Sequence, residues 1–425
     1  MTISELYQYF KKSQGVSTDS RTIQKDQIYF ALKGEHFDGN AYARQALKNG
    51  AMLAICDDPS QQGNRITTVD DSLETLQELA RHHRKQLQIP VIGLTGSNGK
   101  TTSKELLVAA LSEKFKVGFT KGNLNNHIGV PLTLLNFPAD ADIAVVEMGA
   151  NHQKEIEFLS SISMPDHGFI TNFGKAHLEG FGGVEGVIKG KSELYQNLRE
   201  NNKTAWVNML DSLQMEKSQG INRYTFGQDP DADFPVFIVQ GVHNRLAVQF
   251  DGLVVQSQLT GDYNFGNVAS AIALALFFEV PQKAIKSGIE NYQPANNRSQ
   301  IELSAKNNTL VCDYYNSNPS SVEVAIENFE KMDGDSKMVI LGDMFELGDT
   351  SQEEHQKVVD QLKASKSIDK VILVGEHFSK TQNDAHIFKS TQTARDWIGK
   401  EKFENQSILI RGSRGMKLEL IREVL

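Results

Sequence analysis

The stretch Val91 to Thr102, VIGLTGSNGKTT, constrains this chain most: an apolar strand, a glycine turn, then a lysine and two hydroxyls lead directly into the helix-forming run SKELLVAALSEKF. That order describes a phosphate-binding loop. Gly96 and Gly99 lack a β-carbon, so the backbone can wrap closely round a polyphosphate and aim its N–H groups inward. The helix N-terminus that follows adds a favourable dipole. Ser97, Asn98 and Thr102 complete the cradle, Lys100 offers a point charge to the outer phosphates, and the Thr101 hydroxyl can complete a magnesium shell. The spacing is a variant, since the strict pattern places its first glycine at position 94, where this chain has Leu94 with Gly93 beside it. A plain strand-turn-helix connection is the rival reading, and T-G-x-N-G-K-T-T in that context is rare by chance.

A chain of 425 residues can bury sizeable cores and is expected to hold two or three domains. With 44 basic against 53 acidic residues, the net charge of −9 excludes a general attraction for nucleic acid or an anionic membrane. An anionic substrate would need local basic pockets. The N-terminus, MTISELYQYFKK, lacks the basic-then-apolar plan of a signal peptide, and no apolar run approaches the roughly 20 residues of a membrane span. A cytoplasmic protein is expected. Cys56 and Cys312 are too few for a disulfide framework or a cysteine-built zinc site, so both read as reduced thiols.

No internal repeat or low-complexity segment is present, and three α/β blocks are expected. Residues 1–86 form a small mixed unit ending in the polar helical stretch SLETLQELARHHRKQLQ, whose basic tail reads as a solvated face. Residues 87–297 alternate strand and helix, which implies a mainly parallel sheet, then turn β-rich after Trp206 before the apolar helix NFGNVASAIALALFFE. The turn-like run Gln293 to Gln300 marks a second boundary. Residues 298–425 alternate again through KMVILGD, KVILVGE and SILIRGS, so this block reads as a Rossmann-like doubly wound domain.

Further segments have the character of sites, and each has a plainer rival. Glu147 ends the strand ADIAVVEMG, where a carboxylate can hold magnesium opposite the phosphate loop, or merely face solvent. His177 lies among glycines in TNFGKAHLEGFG rather than on an apolar face, which favours a ligand or phosphate role. Lys189 and Lys191 share one helix, and either can be its wet side. Asn264 and Asn267, in GDYNFGN, can cap a helix or read a purine edge. Asp313, ending the strand TLVCD, can accept ribose hydroxyls or cap the next turn.

The order of these segments resembles one family, the Mur ligases, which are ATP-dependent amide ligases of peptidoglycan precursor synthesis. TGSNGKTT, EMGA at Glu147, the histidine of KAHLEG, the lysine region after FGGVEG, the asparagines of GDYNFGN, the arginine of NNRSQ and the aspartate of VCDYYN carry the likeness across nearly the whole chain. STDSRTIQKDQIYFALKGEHFDGN, KGNLNNHIGVPLTLLN, NSNPSS, LGDMFELG and RGSRGMKLE narrow it to the member that adds D-alanyl-D-alanine to UDP-N-acetylmuramoyl-tripeptide. Tyr314, Ser317 and His127 depart from the family's commoner wording.

The resemblance implies an acyl-phosphate mechanism consuming ATP, with Lys100, Glu147, His177 and Lys191 as catalytic residues. It implies Mg2+ held by Thr101 and Glu147, and a second ion near His177 and a carbamylated Lys191, the lysine at the K-[GS]-E step. Arg298 and Asp313 would complete the nucleotide site. The first block would hold the UDP end through Asp19, Ser20, Arg21, Lys33, Gly34 and Asn40, whose plainer role is turn formation and a surface ion pair. Asn123, Asn125 and Asn126 would line the substrate path, Asn316 and Asn318 the acceptor dipeptide, and the enzyme would act as a monomer. Two alternatives differ in class: another ligase on this scaffold, either the enzyme adding the third amino acid or a folylpolyglutamate synthase, and a non-catalytic nucleotide switch.

Overall fold

The structure, a computed structural model, describes residues 1–294, 298–334 and 336–425; residues 295–297, inside the turn predicted to mark the second boundary, lie outside the described residues. Three α/β units follow one another. The first holds four short parallel strands in the order Val16–Ser17, Ile28–Phe30, Leu53–Cys56, Ile66–Thr68. Its last helix, Ser72–Gln86, begins where the Asp71 side chain accepts from the Glu74 N–H. Leu76, Leu79 and Ala80 on that helix share one apolar core with Val130, Leu134, Ile156 and Leu159 of the central unit.

The expectation of a solvated basic tail on this helix needs correcting at Arg84, which is buried, although Lys85 is exposed. The cause is a helix end. Helix Glu155–Ser163 leaves carbonyls without intrahelical donors, and Arg84 serves them: Nε donates to the Ser163 carbonyl at 2.9 Å and Nη2 to that of Met164 at 2.8 Å. Nη2 also reaches Asp166 at 2.7 Å.

The central unit carries a seven-stranded parallel sheet in the order Phe234–Pro235, Asn222–Gly227, Thr204–Asn208, His167–Ile170, Val91–Thr95, Ile143–Glu147, Val117–Phe119. Val91–Thr95 lies buried between strands ending at Ile170 and Glu147, and the chain there changes its direction of progress across the sheet. Ligands bind outside such a switch point. Leu94 stands opposite Glu147 and Thr95 opposite Ile170, so both neighbouring loops open at the level of the phosphate loop. The helix Phe265–Phe277, apolar nearly all round, is buried against helix Lys100–Ser112, as such a helix must be. A small antiparallel sheet, Phe237–Val239, Arg245–Phe250 and Leu253–Thr260, completes this unit.

The C-terminal sheet has an antiparallel edge strand, Gln300–Leu303, then five parallel strands in the order Thr309–Asp313, Ser407–Arg411, Lys337–Gly342, Lys370–Val374, His386–Phe388. Register places Asp313 beside Arg411. Among the described residues no helix is long and apolar enough to cross a membrane. Cys56 and Cys312 are buried and unpaired.

Candidate active site

A cleft of about 1290 Å³ runs between the phosphate loop and the C-terminal unit. Its floor is Ser97 to Thr102, at the start of helix Lys100–Ser112. The loop needs its glycines: Gly99 has φ +78°, and a methyl on Gly96 would come within 1.9 Å of Thr171 Oγ1. Neighbouring loops hold it rigidly. Ser97 Oγ donates to the Gly174 carbonyl at 2.7 Å, Thr171 Oγ1 to that of Asn98 at 2.5 Å, and the Asn98 N–H to Asn172 Oδ1 at 3.0 Å.

Lys100 turns back on this loop, donating to the Gly96 carbonyl at 2.7 Å and that of Ser97 at 3.3 Å. Burial pushes its ammonium down to about 8, with Glu147 opposing the shift. Among the described residues no carboxylate forms an ion pair with it.

Glu147 is buried at 1% exposure, which removes the solvent-facing alternative. Its Oε1 accepts from Thr101 Oγ1 at 3.2 Å and Asn125 Nδ2 at 2.8 Å, and its N–H donates to Thr120 Oγ1 at 3.0 Å. Oε2 is buried without a hydrogen-bond partner among the described residues, 4.0 Å from Lys104 Nζ. An orphaned carboxylate oxygen beside a threonine hydroxyl is a hard-oxygen donor set that fits Mg2+. Among the described residues no group of three or more His, Cys, Asp or Glu could cage a metal. Mg2+ does not need one, since it keeps waters and substrate phosphates as ligands.

His177 lines the cleft, and its Nδ1 lies against the carboxylate of Glu346 from the C-terminal unit. The ring holds that carboxyl below the usual range, against the opposite pull of burial. The two lysines separate cleanly: Lys189 is exposed, whereas Lys191 is fully buried. Lys191 Nζ donates to the Ala150 carbonyl at 3.1 Å and sits 4.9 Å from the Phe181 ring centroid, behind the cleft wall that Ala150 forms. Burial pushes its amine well below the usual lysine range. Glu193 serves elsewhere, accepting the N–H groups of Lys154 at 2.6 Å and Glu157 at 3.0 Å at a helix start.

Asn264 and Asn267 do not cap their helix in the ordinary way. Asn264 makes no side-chain cap bond; its Nδ2 donates to the Thr260 carbonyl at 2.7 Å, and its Oδ1 accepts from Asn267 Nδ2 at 2.8 Å. Ser103 Oγ donates to Asn267 Oδ1 at 2.8 Å, which ties both amides to the phosphate-loop helix. Arg298 lies 3.7 Å over the Tyr315 ring, and Asp313 pairs with Arg411. All four predicted groups line the cleft.

Asn123, Asn125, Asn126 and Asn316 line it too. Asn318 does not: its Oδ1 caps helix Pro319–Lys331, and its Nδ2 donates to Asn98 Oδ1 at 2.6 Å, so it clasps the C-terminal unit to the phosphate loop. The first unit's candidates lie apart from the cleft, gathered beyond the carboxyl ends of three adjacent strands. Arg21 and Asp19 form an exposed ion pair at 2.7 Å, Ser20 is buried, and Lys33 and Asn40 both reach Asp57, at 2.9 and 2.7 Å. Gly34 is in the hairpin that pairs Lys33–Gly34 with Phe37–Asp38.

Lys104, Tyr315, Glu346 and Arg411 carry no role in the sequence reading. Glu346 and Arg411 stand in LGDMFELG and RGSRGMKLE, segments that drew notice only as family wording. Lys104 follows Lys100 by one helical turn, and it is fully buried, donating to the Thr120 carbonyl at 2.7 Å.

Residues 94–275 match the Mur ligase middle domain, residues 297–414 the Mur ligase glutamate ligase domain, and residues 12–91 the Mur ligase family catalytic domain. The chain is 32% identical over 437 residues to the UDP-N-acetylmuramoyl-tripeptide–D-alanyl-D-alanine ligase of Bacillus subtilis, covering 96% of this chain and 92% of that protein. Its fold is similar to MurF from Acinetobacter baumannii, at TM-score 0.84 and 30% identity over 98% of each chain. It is also similar to MurF ligase from Thermotoga maritima in complex with ADP, at TM-score 0.83 and 26% identity over 96% of each chain.

Proposed function

The chain belongs to the Mur ligase family, and we infer that within it the chain joins D-alanyl-D-alanine to UDP-N-acetylmuramoyl-tripeptide, converting ATP to ADP and phosphate. The observation that carries this reading is a single cleft in which a phosphate loop, a buried orphaned carboxylate and His177 face Arg298 and Asp313 across a unit boundary. Near-full-length relatives that carry the name of this activity support it over the other ligases of the scaffold.

A carboxylate is a poor acyl donor because oxide is a poor leaving group. Phosphorylation by ATP makes phosphate the leaving group, and the deprotonated amine of the dipeptide then attacks the acyl carbon. Lys100, which among the described residues donates to two carbonyls, can move to the outer phosphates. Thr101 and Glu147 would hold one Mg2+, and His177 with Lys191 a second; the ions would supply charge neutralisation for phosphoryl transfer. Lys191 is suited to carbamylation because burial favours its neutral amine. The nitrogen lone pair bonds to the carbon of CO2, a proton leaves to solvent, and an anion replaces a cation that would repel metal.

Asn264 and Asn267 are suited to the purine edge and Asp313 to the ribose. Asn123, Asn125 and Asn126 border the path of the peptide and Asn316 stands on the acceptor side, while Asn318, engaged as a helix cap and on Asn98, supports that side from behind the cleft lining. The first unit holds the UDP end through Asp19, Ser20, Arg21, Lys33, Gly34 and Asn40. The seated C-terminal unit excludes water from the acyl phosphate. The enzyme acts as a cytoplasmic monomer.

The test is phosphate release with ATP and each substrate alone and together, the nucleotide products being separated by chromatography. Turnover to ADP should require both substrates. Stoichiometric AMP would refute the acyl-phosphate route, and turnover independent of the muramoyl peptide would favour a nucleotide switch.

A further inference from the structure

Glu346 stands in the loop after strand Lys337–Gly342, in a different unit from the phosphate loop, yet its carboxylate rests against His177 Nδ1. Its carbonyl also accepts the Glu179 N–H at 3.3 Å. Both partners have left-handed backbones, φ 62° at Glu346 and 54° at His177. Outside glycine that conformation is uncommon and persists only where the surroundings impose it. Here they do: Met344 and Leu347 anchor the Glu346 loop in the core, and the Phe345 N–H donates to Ser413 Oγ at 3.0 Å.

Among the described residues the buried His177 Nδ1 is in ion-pair contact with the Glu346 carboxylate without the geometry of a hydrogen bond, and the adjacent negative charge favours a proton on that nitrogen, which leaves the lone pair on Nε2. We propose that Glu346 is a positioning residue of the ligase: from the C-terminal unit it fixes the tautomer and orientation of His177, so that the Nε2 lone pair is presented for a divalent cation only when that unit is seated. The proposal rests on the reading of His177 as a metal-side residue. A carboxylate behind a ligating histidine raises its basicity, and its loss typically costs about 10- to 100-fold in metal affinity. Other contacts join the same two units without touching the ring. Lys175 pairs with Glu354 at 3.0 Å, which provides a control that loosens the boundary alone.

The experiment titrates Mn2+, a divalent probe that imidazole binds, into the intact ADP-loaded protein, following bound ion by electron paramagnetic resonance. His177→Ala defines the component of binding that depends on the ring. Glu346→Ala should weaken that component about 10- to 100-fold and raise the Mg2+ needed for half-maximal turnover in parallel, with the KM for D-alanyl-D-alanine within about 2-fold of wild type. Glu346→Gln, which keeps an acceptor without the charge, should fall between, and Glu354→Gln should bind Mn2+ as the wild type does. If His177→Ala removes no Mn2+, the reading of His177 fails and the proposal with it. If His177→Ala weakens binding but Glu346→Ala does not, or Glu354→Gln weakens it equally, the positioning role alone is overturned.

Discussion

Replacing Gly99 by alanine separates two costs that the phosphate loop imposes on its sequence. Gly99 has φ +78°, and an added methyl would come within 2.5 Å of Asn267 Oδ1, with Asn267 Cγ and Nδ2 at 3.1 Å. Asn267 cannot swing away cheaply, since its Oδ1 accepts from Ser103 and its Nδ2 donates to Asn264, each at 2.8 Å. Gly220 in the same unit is the control, with φ +73° and nothing within 4 Å of an added methyl. Alanine at Gly220 should cost only the left-handed backbone, roughly 1–2 kcal/mol. Gly99→Ala should cost that plus about 1–3 kcal/mol for overpacking. Asn267 is also a proposed nucleotide contact, so ADP binding should weaken as well. At an ADP concentration about 100 times the wild-type Kd, ligand stabilises the wild type by about 2.7 kcal/mol; a hundredfold weaker site would keep only about 0.4 kcal/mol. Chemical unfolding with and without ADP measures both numbers. If Gly99→Ala matches Gly220→Ala within about 0.5 kcal/mol and keeps its full ADP stabilisation, the claim that Asn267 closes this loop is wrong.

Lys191→Ala should be nearly inactive and partly rescued by short carboxylic acids, whereas Lys189→Ala should stay active; intact mass showing unmodified Lys191 in a fully active enzyme under bicarbonate would overturn the carbamate. Arg21→Ala, in an exposed ion pair outside the cleft lining, should raise the KM for the UDP-linked substrate much more than it lowers kcat. Equal falls in kcat and kcat/KM at unchanged KM would contradict a binding role. His83 is half-buried against Tyr7 and Phe10 of the first helix, and desolvation pushes its imidazole down to about 4 from 6.5, with His82 a lesser cause. Between those values the unfolded chain binds a proton that the folded one does not, so stability falls as pH falls through that window, by about 2 kcal/mol at pH 5. His83→Gln should flatten that limb of the stability curve, and an unchanged slope would refute the assignment.

Some of the site was legible in the chain because its signals are local. Strand, glycines, lysine and helix lie within a dozen residues, and a strand-end carboxylate needs only the parallel-sheet rule to be placed beside them. Lys191 was legible in principle as well: it follows Val187 by four residues and precedes Leu194 by three, on the face that the structure buries. Arg84 is not legible locally because its basic neighbours suggest a wet face, while the helix end it serves lies about eighty residues further along.

The sequence by itself therefore determined the phosphate loop, the three α/β blocks and the residues that could meet a nucleotide, since periodicity, glycine placement and strand ends are properties of neighbouring residues. Only the tertiary structure decided which of those groups face one cleft and which partners complete them. Glu346 meets His177, Asn318 meets Asn98 and Arg411 meets Asp313 through sheet register and the docking of one unit on another. Each pair is separated by roughly a hundred residues or more, so no local pattern encodes it, and burial, within the C-terminal sheet for Arg411 and Asp313 and between packed units for the other two, supplies the free energy that holds it in place.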